Sequence, residues 1–241
     1  MNTAQELGPR LEAICELVCQ AQFQQEALWS LPGRYDRVWD CCCDHGYLGL
    51  TLLQQVMPGT MCFVDQVPHI TKKLGCHLAE TGFTNYEVFT EDAGKLEFSK
   101  QERHLVIIAG VTGTNVIRIL AAILENARFT QNAARNIDVI VCPTRGAYDV
   151  RDYMRSKSLA LIHESLVSEK KRQYEILYVS CSQENRARSI ISEVGNMWDY
   201  ENPDHRRYLD GRICHYQREA NGENRDRAKR ALLAYQTIAG A

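Results

Sequence analysis

Between Val38 and Leu48 the chain reads Val-Trp-Asp-Cys-Cys-Cys-Asp-His-Gly-Tyr-Leu. An apolar strand that ends in aspartate and turns sharply into a helix is the form of a nucleotide-binding first loop, here with the usual glycines reduced to Gly46. A second apolar run ends in Val64-Asp65-Gln66, about 20 residues further on, where a carboxylate can accept both hydroxyls of a ribose. A third is followed by Glu91-Asp92-Ala93, placed to accept from an adenine amino group. A fourth runs into Ala109-Gly110-Val111-Thr112-Gly113-Thr114, whose glycines admit close backbone approach to a ligand at a helix start. Four strand ends thus converge on one cleft the size of a nucleotide-bearing cofactor.

Each residue also has a plainer reading. Asp40 can simply brace the first loop, His45 can bond within it, and Asp65 and Asp92 are the residue type of ordinary solvated turns. Their joint placement carries the argument. The run Cys41-Cys42-Cys43 suggests metal or redox work, but adjacent strand residues face opposite ways and zinc loops space their cysteines. Packing is the expectation, with no metal site.

The elements that must position these residues follow from periodicity. Strand-like runs at Arg37 to Cys42, Thr60 to Asp65, Asn85 to Thr90, His104 to Gly110 and Ile137 to Cys142 alternate with helical stretches near 47–57, 68–82, 114–127 and 147–157. Such alternation predicts a doubly wound α/β fold, a mainly parallel sheet covered on both faces. Leu159 to Val167 and Gln173 to Ser180 follow, joined only by Glu169-Lys170-Lys171-Arg172. That link is too short for a parallel crossover, so the pair is antiparallel. Leu11, Ile14, Leu17 and Val18 recur at helical spacing behind Pro9, giving a leader helix over residues 9–20. After Ser182 the sequence turns charge-rich and helical, with breaks at Asn202-Pro203 and Gly222. The expected division is a catalytic domain over 1–182, leader helix included, and a helical C-terminal appendage over 183–241.

The whole chain has 241 residues and a net charge of −2, so any affinity for nucleic acid must come from a local patch. No segment has the roughly 18–20 uncharged apolar residues of a membrane span, and Glu6, Arg10, Glu12 and Glu16 interrupt the beginning where a signal peptide would be apolar. The expectation is a cytoplasmic protein whose ten cysteines are reduced, mostly buried thiols.

At Asp40 to Leu48 the chain resembles the TrmK family, bacterial tRNA (adenine-22-N1)-methyltransferases, whose first motif runs Asp, apolar, Gly, Ser or Cys, Asp, His, Ala or Gly, Tyr, Leu. The resemblance continues through Ile107-Ile108-Ala109-Gly110 and Gly113, and through Tyr174-Glu175-Ile176-Leu177. It also takes in the leader helix and the helical tail. It implies the seven-stranded, Rossmann-like class I methyltransferase sheet, five parallel strands closed by an antiparallel hairpin.

The resemblance also implies S-adenosyl-L-methionine as cofactor, held around Asp40, Cys42, His45, Gly46, Asp65, Gln66, Asp92, Ala93 and Ala109. Asp44, Gly110 and Gly113 fall at the catalytic junction with the substrate pocket. A tRNA partner is implied, with phosphates met by Arg145, Arg151, Lys171 and Arg172 and by tail cations, and Tyr148 as a platform on which a base could stack or as a packing residue. Methylating adenine N1 spreads positive charge onto the exocyclic amino group, and Asp44 is the first candidate to accept from it. Cys42, Val111-Thr112 and Cys142-Pro143-Thr144 depart from the family pattern. They leave open a different substrate or a non-catalytic relative. An NAD-dependent dehydrogenase fits less well, for want of the Gly-x-Gly-x-x-Gly loop.

Overall fold

The computed structural model describes residues 6–23, 35–55, 59–129, 136–182, 190–222 and 225–240. Seven strands form one sheet: β1 (Arg37–Cys41), β2 (Thr60–Asp65), β3 (Tyr86–Thr90), β4 (His104–Ala109), β5 (Ile137–Cys142), β6 (Ala160–Glu169) and β7 (Arg172–Ser180). Their order is β3-β2-β1-β4-β5-β7-β6. The first five are parallel, and β7 pairs antiparallel with both β5 and β6. Strand order reverses between β1 and β4, which makes their carboxyl ends the switch point where such sheets bind ligands.

Alternation along the central strands builds two cores. On one face Trp39, Val64, Val106, Ile108, Val139 and Val141 pack with α4 (Gly113–Phe129) and α5 (Ala147–Ser156). On the other, Val38, Phe63, Leu105, Ile107 and Ile140 pack with α1 (Pro9–Phe23), α2 (Tyr47–Gln55) and α3 (Pro68–Ala79). Strands covered on both sides have to read as continuous apolar runs, and β4 and β5 do. The leader helix buries Ile14, Leu17 and Val18, the stripe its spacing predicted.

The element ends differ in small, explicable ways. β1 stops at Cys41 because Cys42 takes a left-handed φ of 61°, and β4 stops at Ala109 because Gly110 has φ 80°. The β6–β7 turn is tighter than its four charged residues suggest: Glu169 pairs with Arg172, leaving Lys170-Lys171 at the tip with Lys170 at φ 58°. α3 ends at Ala79 rather than 82, and residues 56–57 of the second expected helix lie outside the described residues.

The tail forms α6 (Pro203–Glu219) and α7 (Arg225–Ala239). Asn202 caps the first, accepting from the Asp204 N–H at 2.9 Å, with Pro203 at its first position. Leu209, Tyr216, Ala228, Ala231 and Tyr235 enclose Tyr148 of α5. Tyr148 is 5% exposed in this cluster and offers no face to a base. Arg151, expected among the phosphate contacts, is 0% exposed and ion-paired with Glu175 at 2.6 Å and Glu164 at 2.7 Å. The Tyr208 hydroxyl of α6 donates to the same Glu175 at 2.6 Å, so the arginine anchors the tail to the sheet. The expected boundary at 182/183 falls at residues 183–189, outside the described residues.

Candidate active site

The turn after β1 is the most contorted stretch of the switch point. Cys42 (φ 61°) and Asp44 (φ 49°) both adopt the left-handed conformation, which costs a non-glycine residue roughly 1–2 kcal/mol and is retained where surrounding contacts hold it. Those contacts are specific. The Cys43 N–H donates to the Val64 carbonyl at 3.1 Å, and the Asp44 N–H to the Asp65 carboxylate at 3.3 Å. Asp65 also accepts from the Val67 N–H at 3.0 Å, so one half-buried carboxylate fixes the β1 loop to the β2 loop. Gln66 beside it is exposed.

Asp40 lies fully buried beneath this turn and accepts from the Gly49 N–H of α2 at 3.2 Å. Burial raises its carboxyl to about 7, outweighing the Gly49 hydrogen bond, with Asp65 adding to the rise. At the surface of the turn the His45 imidazole meets Asp44, Nδ1 to Oδ1 at 2.9 Å, and stacks on Tyr47 with ring centres 5.5 Å apart. Gly46 closes the turn: its N–H donates to the Cys43 carbonyl and its carbonyl accepts from Leu50, each at 2.8 Å.

A cavity of about 260 Å³ opens here, lined by Arg10 and Leu11 of the leader helix, by Asp40, Cys42, Cys43, Asp44, His45, Tyr47 and Leu48, and by Ala109, Gly110 and Val111. The structure therefore brings together Asp40, Cys42, Asp44, His45, Ala109 and Gly110, six of the residues named from the sequence. Asp65 sits one hydrogen bond away. Asp92 stands outside the lining: Arg118 of α4 reaches both of its oxygens, at 2.8 and 3.2 Å, and the Gly94 N–H donates to it at 2.9 Å. The guanidinium and that N–H hold its carboxyl below the usual range. Ala93 is buried in the short 3-10 turn that follows.

Gly113 serves a different end from the one expected. Its N–H donates to the Arg145 carbonyl at 2.8 Å, and a Cβ there would lie 2.6 Å from the Gly146 carbonyl oxygen, so it lets the β4–α4 and β5–α5 loops touch. The two departures in these loops are bonded to each other: Thr144 donates to the Val111 carbonyl through its N–H at 2.8 Å and its hydroxyl at 3.2 Å. Arg145, Lys171 and Arg172 are exposed.

The cysteines of the β1 turn are free thiols whose burial raises their pKa, that of Cys42 to about 11, so they are poor nucleophiles. Among the described residues there is no cluster of three metal-ligating side chains, and no helix is long and apolar enough to cross a membrane.

The lining also includes a residue that sequence reasoning did not single out. Arg10 reaches the cavity from the first turn of α1, where it shares a helical stripe with Ile14, Leu17 and Val18. A charge on an otherwise apolar stripe is the signal that marks it.

Set beside solved structures, the fold is shared along the whole chain. M. capricolum TrmK in complex with S-adenosyl-homocysteine superposes with a TM-score of 0.70 at 14% identity, covering 98% of this chain and 99% of that one. The B. subtilis m1A22 tRNA methyltransferase TrmK gives 0.68 at 17% identity, covering 98% and 96%. A Streptococcus agalactiae protein of the NADB-Rossmann superfamily gives 0.71 at 15%, covering 98% of each chain. No curated protein matches the sequence. The sequence model described as a methyltransferase domain matches residues 26–177, well over half of the chain, and the protein belongs to that methyltransferase family.

Proposed function

We propose that the protein transfers a methyl group from S-adenosylmethionine to N1 of an adenine in tRNA, at position 22 or a related site, in the cytoplasm. The observation that carries this reading is the acidic cavity at the switch point, Asp40 and Asp44 beside Ala109 and Gly110, in a chain whose full length follows the fold of tRNA m1A22 methyltransferases. The donor set fits the cofactor. The carboxyl of Asp40 suits a ligand bearing an ammonium, and Asp65 at the end of β2 suits a ribose.

When bound, the cofactor supplies a methyl carbon already activated by its sulfonium, so the protein's task is alignment and charge stabilisation. Asp44 performs the second. Its carboxylate accepts from the adenine amino group as positive charge spreads there, and His45 at 2.9 Å orients it. Gly110, lacking a side chain, leaves backbone open toward the base. A stacked or paired base must first be extruded, at a cost of a few kcal/mol. Phosphate contacts fall to the exposed Arg145, Lys171 and Arg172.

Isothermal titration with S-adenosylmethionine and S-adenosylhomocysteine, beside an Asp65→Ala variant, tests the cofactor assignment. Both ligands should bind, and the variant should weaken them about tenfold or more. A wild-type protein that binds neither would overturn the reading.

A further inference from the structure

The candidate cavity carries two signs of charge. Asp40 comes from β1 and Asp44 and His45 from the turn after it, while the leader helix contributes Arg10. Arg10 is held from outside: its guanidinium lies over the Tyr174 ring of β7 at 5.2 Å, and its Nε is 3.8 Å from Glu169 Oε2, a loose ion pair. Gly110 borders it just past β4, where a Cβ would sit 3.8 Å from Arg10 Nη1, and the positive charge of Arg10 also reaches the buried Cys142 thiol of β5. Yet its Nε and Nη1 are buried and meet no oxygen acceptor within hydrogen-bond distance among the described residues, the Cys142 thiol being only a weak partner for the guanidinium. Charged donors taken out of water are costly unless an acceptor meets them.

We infer that Arg10 binds the carboxylate of the α-amino-acid group of S-adenosylmethionine, so that the leader helix is part of the cofactor site. This rests on the cofactor reading above. The lining selects the ligand: a group with a carboxylate and an ammonium on one carbon matches a guanidinium that shares its cavity with the Asp40 carboxyl. A target-nucleotide phosphate, which brings only negative charge, would be repelled by Asp40 and Asp44. A guanidinium presents parallel donors that a carboxylate accepts in a fork, which a lysine cannot reproduce.

The test compares two ligands that differ only in the amino-acid portion. S-adenosylhomocysteine and 5′-methylthioadenosine are titrated into wild-type protein, Arg10→Ala and Arg10→Lys, each checked by thermal unfolding. Arg10→Ala should weaken S-adenosylhomocysteine by about ten- to a hundredfold and leave methylthioadenosine within about twofold, with Arg10→Lys between. Equal weakening of both ligands, in Arg10→Lys as in Arg10→Ala, would overturn the inference in favour of a packing role. Unchanged S-adenosylhomocysteine binding with weakened tRNA binding would overturn it in favour of a phosphate contact. Wild-type protein that binds neither nucleoside would remove the cofactor reading itself.

Discussion

Asp40 buries a carboxyl group whose proton the fold holds to about pH 7. In the unfolded chain the same group titrates near 3.9, so the native state binds the proton more tightly. Stability from this residue is therefore present in full below about pH 4 and is lost as pH rises toward 7, by up to about 4 kcal/mol. Urea unfolding at pH 5 and pH 7.5 should show a smaller pH-dependent loss in Asp40→Asn than in wild type. An identical slope would contradict the burial argument. Asp44 calls for a gentler probe than alanine, because its φ of 49° is one that asparagine tolerates. Asp44→Asn should keep cofactor affinity and lose about a hundredfold or more in methyl-transfer rate, and a matching loss of cofactor binding would make it a cofactor residue instead. At Cys42, where the family pattern has glycine, Cys42→Gly relieves a left-handed side chain and should stabilise by about 0.5–1 kcal/mol in denaturant unfolding. At this scale Asp40, Asp44 and Asp65 were legible because a carboxylate at a strand end is a local pattern. Arg10 was marked only as a charge on an apolar stripe, and its place at the site was hidden because its neighbours Gly110 and Tyr174 are remote in sequence.

At the scale of elements, apolar runs and breakers located nearly every helix and strand, while charged residues misled where burial decides their role. Arg151 shares a helical stripe with Ala147 and Met154, and its position on that buried face was the cue that it points inward. Two glutamates from the β6–β7 hairpin meet it there, and a tyrosine from α6 donates to one of them, none of the three adjacent to it in the chain. Removing one member of such a cluster leaves a buried charge unpaired. Arg151→Ala should cost about 3–5 kcal/mol in chemical denaturation and detach α6, visible as faster hydrogen exchange there. A loss below about 1 kcal/mol would mean the tail is held by its aromatic cluster alone. The hairpin itself was predictable from four charged residues between apolar runs, but its two-residue tip depends on a pairing register that alternation alone leaves undetermined.

Across the whole molecule, the β6–β7 hairpin touches the leader helix through Glu169 and Arg10, and the exposed Lys171 and Arg172 belong to the same turn as Glu169. With a net charge of only −2, any RNA affinity has to come from a local patch. Charge reversal of Lys171 and Arg172 together should weaken tRNA binding and flatten its salt dependence while sparing S-adenosylhomocysteine binding. The tail arginines contribute less than their number suggests, since Arg227 is committed to Asp149 and Glu219, and Arg207 to Asp204. Under the proposed function this cavity methylates adenine N1 in tRNA. Labelled S-adenosylmethionine, purified protein and tRNA transcripts with adenine or guanine at position 22, followed by nucleoside mass analysis, test it most directly. The account predicts 1-methyladenosine in the adenine transcript and none in the guanine transcript; a protein that binds the cofactor yet labels neither transcript would contradict it.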